Sequence, residues 1–291
     1  HYVDISDESE DPPVLEILEV EKENGLQPTT MRAVRSTVGH EREGWRLAMQ
    51  AEVGSLRDNQ TFQEATKEEL RSVPMRKTLP MKMVAGVKRD HINKVEKKKA
   101  RCAECGNFQD KSPAEELYTA NADITSVRAA LAASVRRKWS ANVIDVNKAF
   151  LNATLPDQLE TVFVRPPQAL VEFGLVAPGT VWKVLKAMYG LRISPRAWGV
   201  ERGKEIQKMK IVIGKSACVF CQSHIDPSVW SIVQGISTSE GACDPDRETG
   251  AGRFTEVIGY MAVYVDDFLL MAPDAVLDKL TNVIEAKWNI T

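Results

Sequence analysis

The chain has 291 residues, 43% hydrophobic and 27% charged, which excludes collagen-like, mucin-like and wholly disordered classes and permits one large domain or two smaller ones. The longest uninterrupted apolar run, Val257–Val265, is nine residues and contains a glycine, far short of the ~20 that span a bilayer, so no membrane partner is expected. Net charge is −2 but unevenly spread: residues 1–24 hold nine acids against Lys22, and Met75–Arg101 holds ten basic residues against Asp90 and Glu96.

In chain order, residues 1–42 lack the apolar density to offset chain entropy and are expected to be an acidic, disordered segment. Trp45, Ala48, Met49, Glu52, Val53 and Leu56 recur at three- and four-residue spacing and predict a helix from near Glu43 to Arg57–Asn59. The basic stretch that follows reads as a solvated face or a polyanion contact, folded as a hairpin with a short strand at Val84–Lys88 and a mobile tip over 90–98. Ile124, Val127, Leu131 and Val135, set among alanines, predict the clearest helix, over 123–139. Asn142–Val146 reads as a strand carrying Asp145 in an apolar setting. Val162–Val164 and Val181–Leu185 read as further strands, separated by Pro166 and Pro167.

Ser194 and Pro195 make an N-cap and first turn for a helix running toward Met209. Ile211–Ile213 and Val229–Val233 are strand-like, and residues 234–253, rich in Gly, Ser, Thr and Asp, read as a surface insertion. Val257–Ala272 reads as a hairpin with Asp266 and Asp267 at its turn. Asp274 then caps a terminal helix that buries Val276, Leu277, Leu280, Val283 and Ile284.

Five cysteines, an odd number, argue against a disulfide framework and for a reducing compartment. Cys102 and Cys105 form one CxxC and Cys218 and Cys221 another, with His224 behind it, so a zinc-stabilised binding module is one reading. The 112 residues between the pairs are far more than a compact zinc module uses, and zinc is not expected. Asp145, Asp266 and Asp267 ask for more explanation, because a carboxylate in an apolar strand costs several kcal/mol unless it is compensated. Their bland roles are a strand end and a polar turn. The functional reading has three carboxylates from adjacent strands converging on two divalent cations, magnesium or manganese, for in-line phosphoryl displacement.

Tyr264-Val265-Asp266-Asp267 resembles the YxDD box of reverse transcriptases, and its surroundings resemble the copia-type retrotransposon polymerases. "WRLAM", "AEVGSL" and "DNQTF" within Trp45–Thr61 resemble the family's opening helix. "KARCAECGNFQ" at Lys99–Gln109 resembles KARLVxxGxxQ, "SVRAALAAS" the following helix, and "DVNKAFLNA" at Asp145–Ala153 resembles DVxxAFLNG. "VRPP" at Val164–Pro167 and "VWKVLKAMYGLRISPRAW" at Val181–Trp198 complete the set, the latter resembling VxKLxKALYGLKQAPRAW. Departures are Cys102-Ala103 for Leu-Val, Ile193 for the usual Gln, and Ala153 for Gly.

The resemblance implies an α+β fold of fingers (43–140) and palm (141–291), with a small antiparallel palm sheet backed by helices. It implies metal binding by Asp145, Asp266, Asp267 and the Val146 backbone. A nucleotide site would be lined by Phe150, Lys99, Arg101, Tyr189, Gly190, Arg192, Pro195 and Tyr264, with Phe150 excluding a ribose 2′-hydroxyl. The basic block, Arg76, Lys77, Lys82, Lys88, Arg89, Lys97 and Lys98, would meet an RNA or DNA template with its primer. The activity implied is RNA-directed DNA synthesis from deoxynucleoside triphosphates, within a polyprotein that also carries integrase and RNase H. Thumb and RNase H are expected to have no counterpart in this chain. The alternative is a catalytically inactive retroelement remnant that at most binds nucleic acid.

Overall fold

A computed structural model describes residues 26–73, 77–89, 95–109, 117–156, 160–214, 216–235 and 254–291. Among the described residues the first regular elements, strand β1 (Leu26–Thr29) and helix α1 (Met31–Ser36), fall inside the segment expected to be disordered. The Thr30 hydroxyl caps α1, and Met31 and Val34 anchor it as buried apolar residues. Helix α2 (Gly39–Asp58) starts four residues before Glu43 and buries Trp45, Met49, Val53 and Leu56 along one face, as the spacing predicts. Strand β2 (Phe62–Glu64) and helix α3 (Lys67–Ser72) are short. A capping box sets the start of α3: the Thr66 hydroxyl accepts from the Glu69 N–H, and the Glu69 carboxylate accepts from the Thr66 N–H.

The expected basic hairpin is present and longer than Val84–Lys88, comprising β3 (Thr78–Arg89) and β4 (Val95–Glu104). Its connection, 90–94, where a mobile tip is expected, lies outside the described residues. Helix α4 (Ile124–Arg136) is capped by the Asp123 carboxylate. Its seat differs from expectation: Ile124 and Val135 are exposed, while Ala130 and Ser134 are buried and Val127 and Leu131 half-buried. The small Ala130 side chain packs on Ala262 and Met271, so the stripe that faces the sheet is 127–130–131–134, one step round the helix from the bulkier stripe.

Strand β5 (Ser140–Asp145), β6 (Phe163–Arg165), helix α5 (Gln168–Glu172) and β7 (Trp182–Val184) follow. Helix α6 (Ser194–Lys208) starts where Ser194-Pro195 predicts, but the Ser194 hydroxyl serves the preceding turn by accepting from the Met188 N–H. Then come β8 (Lys210–Ile213), β9 (Ser216–Gln222), β10 (Val229–Gly235), β11 (Phe254–Tyr264), β12 (Asp267–Ala272) and helix α7 (Asp274–Glu285). The 236–253 stretch of the expected insertion lies outside the described residues. Asp274 stands in the first turn of α7, with Pro273 at the cap position, and Val276, Leu277, Leu280 and Ile284 are buried.

Two units emerge, each discontinuous in sequence, rather than a division at 140/141: residues up to 117 with 153–197, and residues 118–152 with 198–291. The first contains a mixed sheet ordered β1-β3-β6-β7-β2, with β4 paired to β3 and with β3 and β6 parallel. Trp182 stacks on Phe62 in its core, 3.8 Å between ring centroids. The second contains a sheet ordered β5-β12-β11-β10-β9-β8, antiparallel throughout. Trp198, Phe268 and Trp288, all buried, pack in its core. Each such aromatic contributes about 1.5–3 kcal/mol by leaving water.

Candidate active site

The second unit's apolar strands β11 and β12 meet in a two-residue turn, Val265-Asp266, flanked by the Tyr264–Asp267 pair. Of the two acids expected at the turn, only Asp266 is in it. Asp267 opens β12 and pairs directly with Asp145, the last residue of β5. Val265 adopts φ +50°, a left-handed conformation that costs a side-chain-bearing residue about 1–2 kcal/mol. Its surroundings hold it there. The Val265 carbonyl accepts from Trp198 Nε1 at 2.7 Å and from Arg202 Nη1 at 2.6 Å, and its N–H donates to Asn121 Oδ1 at 3.3 Å. The Asp266 carbonyl accepts from the Val146 N–H at 2.9 Å.

On its other side Asp145 pairs with Thr291: each N–H donates to the other's carbonyl at 2.9 Å, and the Thr291 hydroxyl donates to Asp145 Oδ1 at 3.4 Å. Asp145 thus lies between β12 and the Asn289–Thr291 segment, with its backbone fixed from both sides. Partial withdrawal from water, and then the like charge of Asp145, hold the Asp267 carboxyl above the usual carboxylate range. The Arg202 guanidinium, 6% exposed, is pushed down to about 10 by burial, and the Asp266 charge opposes that shift. In donor chemistry the set suits a hard divalent cation, whose charge would relieve the repulsion between Asp145 and Asp267. As their side chains are placed, no three Asp, Glu, His or Cys residues among the described residues converge closely enough to hold an ion. Tyr264 beside the turn is exposed, and Phe150 is half-buried in a short 3-10 turn, Ala149–Asn152.

The first unit brings two other predicted stretches together. The Glu104 N–H donates to the Tyr189 carbonyl at 2.7 Å, and the Gly106 N–H to the Gly190 carbonyl at 3.2 Å, so "KARCAECGNFQ" lies against "YGLRISP". Glycine is required on both sides: Gly190 sits at φ +86° where a Cβ would strike the Glu104 backbone, and a Cβ on Gly106 would strike the Gly190 carbonyl. The Arg101 guanidinium lies 4.8 Å over the Tyr189 ring, while Lys99, Arg192 and Pro195 are half-buried. Glu104, 1% exposed, has both carboxylate oxygens buried without a hydrogen-bond donor, and burial pushes its pKa up to about 8.

Not every cation of the basic block is available to a polyanion. Lys82 is 3% exposed, buried where β3 crosses the sheet, and is corrected from surface contact to core residue. Lys98 donates to the Glu41 carbonyl at 2.8 Å and stands over Trp45, and Lys77 pairs with Glu160. Lys88 and Lys97 are exposed and directly opposite each other across the hairpin. Arg76 and the Arg89 side chain lie outside the described residues. Cys221 is disulfide-bonded, contrary to the expectation from cysteine parity, while Cys102, Cys105 and Cys218 are free and buried. The disulfide takes Cys221 out of the four-cysteine set, and burial holds the Cys102 thiol well above its ordinary value. Asn121, Arg202, Glu104 and Thr291 were not singled out by sequence reasoning. For Arg202 a signal exists: it stands four residues after Trp198 on an expected helix, and so on the same face.

The profile of the reverse transcriptase (RNA-dependent DNA polymerase) family matches residues 69–223, more than half of the chain. The chain belongs to that family, in its copia-type branch. Its relatives include the retrovirus-related Pol polyproteins from transposons RE2 and RE1 of Arabidopsis thaliana, 34% and 33% identical over 157 and 153 residues. These alignments cover 54% and 53% of this chain and 8% of each relative. The corresponding polyprotein from transposon TNT 1-94 of Nicotiana tabacum is 27% identical over 199 residues, 68% of this chain and 13% of that protein. The chain therefore corresponds to a small part of the length of the relatives it matches. Among the described residues no helix is long and apolar enough to cross a membrane.

Proposed function

We propose that the chain is the fingers and palm portion of a retrotransposon reverse transcriptase and transfers deoxynucleotides to a primer 3′-hydroxyl under template direction. On this reading the antiparallel unit is the palm and the mixed-sheet unit the fingers. The observation that carries it is the strand register that sets Asp267 opposite Asp145 with Asp266 in the adjoining turn. Two magnesium or manganese ions, held by Asp145, Asp266, Asp267 and the Val146 carbonyl, would acidify the 3′-hydroxyl and neutralise the pyrophosphate that leaves. The strands fix the backbone of the carboxylates, and their side chains would turn toward the ions on binding. Phe150 supports deoxyribose selection by its bulk, and Tyr264, Tyr189, Gly190 and Pro195 shape the nucleotide's surroundings. Lys99, Arg101 and Arg192 supply cations for the triphosphate, and Lys88 and Lys97 meet the template and primer backbone. Integrase and RNase H segments of the same polyprotein are the expected companions.

The test is magnesium-dependent dNTP incorporation on an RNA template with a DNA primer, comparing the chain with Asp266→Asn. Incorporation that falls at least ~100-fold in the variant is expected, as for loss of a group that stabilises transition-state charge. Equal incorporation by both chains would sink the reading. The second reading, a remnant that binds nucleic acid without chemistry, is favoured by the carboxylates' failure to converge as placed. It takes the lead if the folded wild-type chain incorporates nothing.

A further inference from the structure

The tip of the β11–β12 hairpin is held by side chains rather than by its own sequence. The first central position of a two-residue hairpin turn with positive φ favours glycine, yet Val265, β-branched, occupies it at φ +50°. Its peptide is gripped at both ends. Trp198 Nε1 and Arg202 Nη1, one helical turn apart on α6, donate to the Val265 carbonyl at 2.7 and 2.6 Å, and Asn121 Oδ1 accepts from its N–H. Both α6 residues are buried, at 1% and 6% exposure, and the Arg202 charge faces that of Asp266. Arg202 also lies 6.0 Å over the Trp198 ring, and burying a guanidinium to bond a turn carbonyl is an expensive way to stabilise a hairpin unless the conformation of that turn matters.

We propose that Arg202 is a positioning residue that, with Trp198, locks the Val265 peptide so that Asp266 stays in the turn and Asp267 opens β12 opposite Asp145. The proposal rests on reading these acids as a cation-binding set. It makes a prediction whose sign separates position from charge. As a positive charge near the carboxylates, Arg202 opposes a bound cation, so its removal by Coulomb's law alone tightens cation binding. As a lock, its removal weakens it.

The experiment uses the full chain and its Arg202→Met, Arg202→Lys, Trp198→Phe and Asp266→Asn variants. Mn2+ binding is read from the free ion's electron paramagnetic resonance signal, and hydrogen exchange is followed through the 260–270 segment. In Arg202→Met, Mn2+ binding at least tenfold weaker and tip exchange at least tenfold faster are expected, with α4 and α7 exchanging as in wild type. Arg202→Lys, which keeps a donor and the charge, falls between. Unchanged or tighter Mn2+ binding in Arg202→Met, or unchanged tip exchange, overturns the positioning role. If α4 and α7 also lose protection in Arg202→Met, Arg202→Lys and Trp198→Phe decide by the same criteria. A wild type whose Mn2+ binding is absent or indifferent to Asp266→Asn removes the cation-site reading, and tip exchange alone then decides whether Arg202 holds the turn.

Discussion

At pH 9, replacing Glu104 by Leu is expected to stabilise the first unit by on the order of 5 kcal/mol, with the gain shrinking as pH falls toward 5. Glu104 closes strand β4 and is buried, and neither carboxylate oxygen has a donor. Its folded-state pKa of about 8 lies above the ordinary 4.5, with burial as the cause. Such a group binds its proton more tightly in the folded chain. The penalty is therefore absent below pH 4.5, grows as pH rises from 4.5 to 8, and stays at its full value above. Leucine has similar bulk and removes both the charge and the two orphaned acceptors. Urea unfolding at pH 5, 7 and 9, with hydrogen exchange on β3 and β4 to localise the effect, measures this. A wild-type pH slope matching that of Glu104→Leu would falsify the assignment.

Trp288→Ala is expected to cost about 3–5 kcal/mol in the second unit. Trp288 is 3% exposed and sits edge-on to Trp198, 5.5 Å between centroids, and to Phe268, 5.7 Å away at 90°. Beyond its transfer from water, each edge-to-face pair adds about 0.5–1.5 kcal/mol. Trp288 also leads directly into Asn289–Thr291, which pairs with Asp145–Asn147, so its loss frees one flank of Asp145. Trp288→Phe retains part of the packing and is expected to cost less than half as much. Urea unfolding followed by near-ultraviolet circular dichroism reports the difference, and a loss below ~1 kcal/mol for Trp288→Ala would contradict the packing account.

Long-range features carried by strong local patterns were legible in the sequence. The basic hairpin is expected from a proline-punctuated, charge-dense stretch, the Val257–Ala272 hairpin from an apolar run broken by two acids, and the helix ending near Asp58 from 3.6-residue spacing. Failures have local physical causes. Helix α4 carries two overlapping stripes, and the bulkier one was the wrong one, because Ala130 allows the backbone closer to the sheet than Ile124 or Val135 could. Strand β9 was hidden because Ala217 and Cys218 in Ser216–Gln222 carry little strand preference, and its place comes from pairing with β8 and β10. Lys82 looked like its neighbours in a charge count, but a count of charges does not register which face of a strand is covered. At the hairpin tip the three acids are singled out from the sequence, and Arg202 is signalled by its helical spacing from Trp198, whereas Asn121 and Thr291 reach the tip only through tertiary structure. The disulfide at Cys221 could not be read from parity, since an odd total leaves room for a bond.

The discontinuity of the two units also bears on how the chain is made. Strand β5 is synthesised early, but its hydrogen-bonding partner β12 begins 122 residues after Asp145. At ribosomal speeds of about 5–20 residues per second, that edge emerges roughly 6–24 s before anything can pair with it. Residues 153–197, which complete the first unit, are translated in that interval. The mixed-sheet unit can thus fold on the ribosome while Asp145 waits, and the acidic cluster assembles last. Nascent chains stalled shortly before β11 are expected to resist protease in the first unit and to be cut around β5, whereas equal resistance in both places would mean that the strand finds an earlier partner.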